Sequence, residues 1–118
     1  MQLKITANYP QDEVRRIVMF AAKFSEINHA GLAVKVKNHR GSFAGMAYDG
    51  VCTSKDSAKG AIWLVTLRIG DRFPLAYMGM NIETWQDALV YLSGHEFGHI
   101  YQFQNYKAGR GEKFADWL

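Results

Sequence analysis

Residues 85–106 read WQDALVYLSGHEFGHIYQFQNY, and the reading of this stretch decides the fold. It contains no proline, and its apolar residues recur at helical spacing. At about 100° per residue, Trp85, Ala88, Leu89, Leu92, His95, Glu96, His99, Ile100 and Phe103 fall on one face. The spacing predicts a helix from Trp85 to Tyr106, with Thr84 as its N-cap and Asp87 in a capping-box-like position. Three ionisable residues interrupt the apolar stripe. A carboxylate on a buried stripe is costly unless it is paired or beside a metal ion, so the interruption asks for a chemical reason.

His95-Glu96-Phe97-Gly98-His99 supplies one. Residues four apart on a helix stand one above the other, so His95 and His99 reach one cation together, with Glu96 beside it. This is the H-E-x-x-H arrangement, in which two imidazoles bind zinc and the glutamate takes a proton from a metal-activated water. The competing reading, two core histidines and an unrelated glutamate, leaves the buried carboxylate unexplained. Gly94 and Gly98 each cost about 1 kcal/mol against alanine inside a helix. Lying away from the stripe, they are expected to let a second helix approach closely.

Working outward, 118 residues with 48% hydrophobic and 21% charged content describe one folded domain spanning 1–118. A net charge of +3 permits an acidic partner. No Lys/Arg run resembles a nucleic-acid stripe, so nucleic acid is not indicated. The single cysteine, Cys52, excludes an internal disulfide framework. No apolar run has the length of a secretory signal or membrane span, and a cytoplasmic protein is expected.

Gln2 to Ala7 alternates as a half-buried strand. Pro10 then opens an amphipathic helix to about Asn28, with Val14, Ile17, Val18, Ala21 and Phe24 on its apolar face and Gly31 as a stop. Leu32 to Lys37 alternates again, and after the turn at Asn38–Ser42 the segment Phe43 to Tyr48 is expected to return antiparallel. Ser54 to Gly60 reads as a surface loop. Ala61 to Ile69, apolar on both faces, reads as a central strand. Pro74 limits Phe73 to Met80 to an edge strand or an irregular lip. A short helix from about Glu112 to Leu118 is expected after the Gly-rich turn at residues 107–111.

Catalytic zinc usually has three protein ligands. After His99 the best further donor is Glu112, which the Gly-rich turn allows to double back. Asp116, four residues on, shares its face and suits the second ring N–H of a ligand histidine.

With these residues in view, the chain resembles the zincin metallopeptidases of the gluzincin branch, whose pattern is H-E-x-x-H followed by a glutamate ligand within E-x-x-x-D. The matching residues are His95-Glu96-Phe97-Gly98-His99 and Glu112-Lys113-Phe114-Ala115-Asp116. Size and β-α-β-β-β-α order are similar to those of the minigluzincins. The resemblance implies a small α+β domain, here expected as a twisted, mostly antiparallel sheet packed on a backing helix and an active-site helix, with a short C-terminal helix. It implies Zn2+ held by His95, His99 and Glu112, Glu96 as general base and Asp116 as orienting residue. The substrate class would be extended or unfolded polypeptide, laid along a sheet edge as an added strand. The gap from His99 to Glu112 is shorter than in large members, and the sequence stops short of their C-terminal subdomain, which supplies an oxyanion stabiliser. His39, Tyr77, Tyr106 and Arg110 are candidates for that role. The alternative readings are a zinc-binding SprT-like or regulatory domain with little proteolysis, and a metal-free interaction domain using the Phe73–Met80 lip.

Overall fold

The strand Gln2–Ile5 (β1) leads into a helix, Gln11–Phe24 (α1), and the chain returns as Leu32–Asn38 (β2). A crossover of this length carries the chain back to the same end of the sheet, so β1 and β2 pair in parallel. The computed structural model describes residues 1–41, 43–49, 63–77 and 79–106. Within them follow Phe43–Asp49 (β3), Trp63–Ile69 (β4), Leu75–Tyr77 (β5), Met80–Ile82 (β6) and Trp85–Tyr106 (α2).

The sheet order is β1-β2-β4-β3. β2 pairs with β4 in parallel, in the register Val34↔Val65 and Val36↔Leu67. Only β3 runs antiparallel, against β4. This corrects the expectation of a mostly antiparallel sheet: its core is the parallel trio β1-β2-β4. The short link at residues 39–42 is not a hairpin between β2 and β3, because β4 lies between them. His39 N–H donates to the Ile69 carbonyl (2.9 Å), and Gly41, at φ 97°, turns its carbonyl to the Asp71 N–H (3.0 Å). Those bonds lead the chain past the end of β4 to its far side. The lip that Pro74 limits is a small hairpin of β5 and β6. The expected loop at 54–60 and the C-terminal helix lie outside the described residues.

Both helices share one core with the sheet. Val14, Val18 and Ala22 of α1, Val34 and Val36 of β2, Val65, Leu67 and Ile69 of β4, and Leu89, Leu92, Phe97 and Ile100 of α2 form a continuous buried cluster. α2 packs across β3 and β4 and alongside α1. The α1–α2 pair is pinned near both ends. Gln86 Nε2 donates to Glu13 Oε2 (3.0 Å). Asn28 N–H donates to Gln104 Oε1 (2.9 Å), and Gln104 Nε2 donates to the Asn28 carbonyl (3.0 Å). The pairs 13–86 and 28–104 ascend together, so the helices run parallel.

α1 ends earlier than its periodicity predicts. Asp12 and Glu13 in its first turn and Lys23 in its last suit the helix dipole, but the chain leaves the helix at Ser25 and turns left-handed at Glu26, φ 57°. That turn buries Ile27 and delivers Asn28 to Gln104. Gly31, at φ 75°, shapes the entry to β2 instead. Phe24 is 75% exposed and so does not belong to the buried face.

One ring ties three junctions together. Tyr9 stacks on Trp85 at 4.4 Å between centroids and donates its hydroxyl to the Gly70 carbonyl (2.6 Å). Burial, and then the nearby charge of Asp71, raise its phenol above the ordinary value of 10.0.

Ser93 is fully buried in α2, and among the described residues its hydroxyl has no hydrogen-bond partner. Removing an unmatched buried hydroxyl relieves its desolvation and improves helix propensity. Ser93→Ala is therefore expected to stabilise the fold by about 1 kcal/mol, a rise of roughly 5 °C in Tm. Thermal unfolding followed by circular dichroism checks this, and a fall in Tm would contradict it.

Candidate metal centre

The helix that carries the motif starts as its sequence dictates. Thr84 Oγ1 accepts the Asp87 N–H (3.2 Å), and the Thr84 carbonyl accepts the Ala88 N–H (3.1 Å). Asp87 in the first turn favours the positive end of the dipole. From there α2 is buried on several sides, by the sheet, by α1 and by its own end contacts. This enclosure gives the motif residues a fixed frame.

His95 and His99 stand on the same face, with ring centroids 5.0 Å apart and planes at 86°. Two imidazoles bound through nitrogen to one tetrahedral zinc, with bonds of about 2.0–2.1 Å, place their centroids roughly 5 Å apart. The observed pair fits that requirement. Glu96 Oε2 lies 4.0 Å from His95 Nε2, with the histidine side chain 17% and the glutamate side chain 6% exposed. A carboxylate this buried attracts positive charge strongly, because little water competes for it. The structure therefore brings together His95, Glu96 and His99, three of the five residues singled out by sequence. The other two, Glu112 and Asp116, lie outside the described residues. Among the described residues no group of three or more His, Cys, Asp or Glu side chains forms a complete cation cage.

Two residues that the sequence reading did not assign to the site flank the histidines. Tyr91 stacks on His95 (6.1 Å, 22°), and Phe103 stacks on His99 (6.4 Å, 24°). Tyr77 meets Tyr91 edge-on at 5.5 Å, and Trp63 stacks on Phe103 at 6.3 Å. The result is a continuous row of rings along α2, with the two imidazoles at its centre. Its signal was present as aromatic and histidine residues at 91, 95, 99 and 103, each four apart. Packing a ring on each imidazole restricts its χ2, which preserves a ligand geometry without a metal to enforce it.

Of the candidates for stabilising an oxyanion, Tyr77 touches this row through Tyr91. His39 is at the end of β2, bonded through its backbone to β4. Arg110 and the side chain of Tyr106 lie outside the described residues. A groove of about 750 Å³ runs beside the lower end of the row, lined by Trp63, Phe103, Gln104 and Asn105 of that end and by Glu26 and Asn28 opposite.

Gly94 does not do what its spacing predicts. A Cβ placed there would meet nothing within 4 Å, so it is not a point of close approach by α1. It opens onto a separate hollow between the helices. Gly98 is buried.

Comparison with protein-family models, with curated proteins and with solved structures finds no match to this chain. Among the described residues, no helix is long and apolar enough to cross a membrane.

Proposed function

We propose that the chain is a small zinc-dependent peptidase that hydrolyses extended or unfolded polypeptides in the cytoplasm. The observation that carries this reading is the pair of imidazoles at 5.0 Å with a buried carboxylate 4.0 Å from one of them. His95 and His99 would hold the ion. In the resemblance, Glu112 completes the ligand set and Asp116 orients a ligand ring. Zinc, when bound, polarises a carbonyl oxygen and acidifies water.

The chain's own residues do the rest. Glu96 takes a proton from the attacking water as the C–O bond forms at the peptide carbon. It then returns the proton to the amide nitrogen as the C–N bond breaks. Tyr91 and Phe103 keep the imidazole rings in place. Among the described residues β3 is the outer strand of the four-stranded sheet beyond β4, and it lies against α2. A substrate added to that edge as a further strand would present its backbone to the motif helix. This favours extended chain over folded targets.

Metal content and cleavage test the proposal together. Purified protein is expected to carry one zinc per chain by mass spectrometry. It is also expected to cut an unfolded fluorogenic protein in a reaction stopped by a chelator and restored by zinc. Glu112→Ala should weaken zinc binding by more than about tenfold. Protein that takes up no zinc rules the proposal out. Protein that holds zinc but cuts nothing supports the regulatory-domain alternative instead.

A further inference from the structure

We propose that the outer face of the α1–α2 pair is the two-fold interface of a homodimer. Phe20 and Phe24 are 65% and 75% exposed, and Val90 on α2 is 50% exposed. The two phenylalanine rings stack at 6.0 Å, so they stand as one ridge. Beside them lies an apolar hollow of about 270 Å³, lined by Phe20, Ala21, Phe24, Ser25, Val90 and Gly94. Gly94 is the floor where a side chain is missing: a Cβ there would meet nothing within 4 Å. A glycine in mid-helix that no neighbour among the described residues requires is explained if a neighbour from outside fills the space.

The occupant is a second copy, because the patch complements itself. Ridge and hollow lie side by side on the same surface, as an isologous contact needs. The charges agree. The α1 border of the patch is cationic, with Arg16 and Lys23 exposed, and the α2 end carries exposed Glu83 and Asp87. Since α1 and α2 run parallel, a two-fold axis lying in the contact plane and running along the helices sets each copy's α1 against its partner's α2 at the same height. The ridge of one copy then meets the hollow of the other, and Arg16, three residues beyond Glu13, comes close to the height of the partner's Asp87, one residue beyond Gln86. A lipid surface fits less well, since Glu83 and Asp87 would meet anionic headgroups. In area, the two phenylalanines contribute on the order of 300 Å². Met19, Val90 and the aliphatic stems of Arg16 and Lys23 bring the face towards the roughly 800 Å² per partner of a standard interface. Val90 and Gly94 stand across α2 from Glu96, so the dimer leaves the motif face open. The inference does not depend on the peptidase reading.

Sedimentation velocity from about 1 µM to about 300 µM, with reductant present so that Cys52 cannot cross-link, tests it. The wild type is expected to shift from one chain's mass towards two. Gly94→Leu should raise Tm, since the monomer has room for the side chain, yet weaken dimerisation by at least about tenfold. Arg16→Glu alone should weaken it severalfold, and Arg16→Glu with Asp87→Arg should recover most of the loss. A wild type that stays one chain at every concentration overturns the proposal. So does a dimer that neither Gly94→Leu nor Arg16→Glu weakens. Monomeric protein that co-sediments with phosphatidylserine vesicles would reassign the patch to a lipid surface and overturn it as well.

Discussion

Glu96→Gln is expected to abolish cleavage of an unfolded protein while leaving zinc in place. The change removes a base and keeps the shape, so the loss reads out proton transfer and not folding. Glu96 is buried to 6% side-chain exposure and lies 4.0 Å from His95. General-base catalysis contributes about 10²–10⁴-fold, and a loss of that order in kcat is expected. The zinc content of the variant, measured in the same preparation, is expected to match the wild type. Equal cleavage by both proteins would end the peptidase proposal. A variant that loses zinc together with activity would make Glu96 a ligand and overturn its role as base.

The second large effect is structural. Phe97 sits inside the motif between Glu96 and Gly98, yet it is fully buried in the core shared by the sheet and both helices. Truncating such a ring removes its transfer free energy and leaves a cavity, together costing about 3–5 kcal/mol. For a chain of this size, Phe97→Ala is expected to lower Tm by on the order of 20 °C, measured by calorimetry. Phe97→Leu, which nearly conserves volume, should cost less than about 1.5 kcal/mol. A fall of only a few degrees for the alanine variant would show that the side chain is not enclosed as described. The variable position of the motif is therefore its anchor: the residue between base and glycine holds the chemistry to the core.

Much of this was legible in the sequence. The bounds of α2 follow from its uninterrupted periodicity and the Thr84 cap, and the shared face of His95 and His99 follows from a spacing of four. β2 and β4 were legible as strands because their apolar residues exceed what a turn tolerates. Strand direction was not. Alternation says that a segment is extended, but not which neighbour it meets. The four-residue link at 39–42 has the length of a hairpin loop, yet β4, apolar on both faces, takes the place beside β2 and puts β3 on its own far side. The parallel pairing of β1 with β2 follows from an intervening helix, a constraint that outweighs the turn chemistry downstream.

The outer helix surface misled in a different way. Phe24 falls at the margin of the apolar stripe of α1, where a small rotation decides between core and solvent, and it lies in solvent. Gly94 carried the right signal, a small residue kept at a cost, but the space it opens is not filled by α1. The metal centre was half visible: the helical pair is local, whereas Tyr77 and Trp63 reach the row of rings only through strand placement that periodicity does not encode.

The position of α2 over β3 and β4 has a consequence for biosynthesis. β4 leaves the ribosome before α2 does, so until residues 85–106 follow it out the sheet's inner face lacks this cover over Val65, Leu67 and Ile69, which are buried in the finished domain. At about 5–20 residues per second, the delay between the two elements is on the order of a few seconds in each round of translation. A nascent chain in that interval is a client for holding chaperones, and slowing translation after β4 should increase their demand.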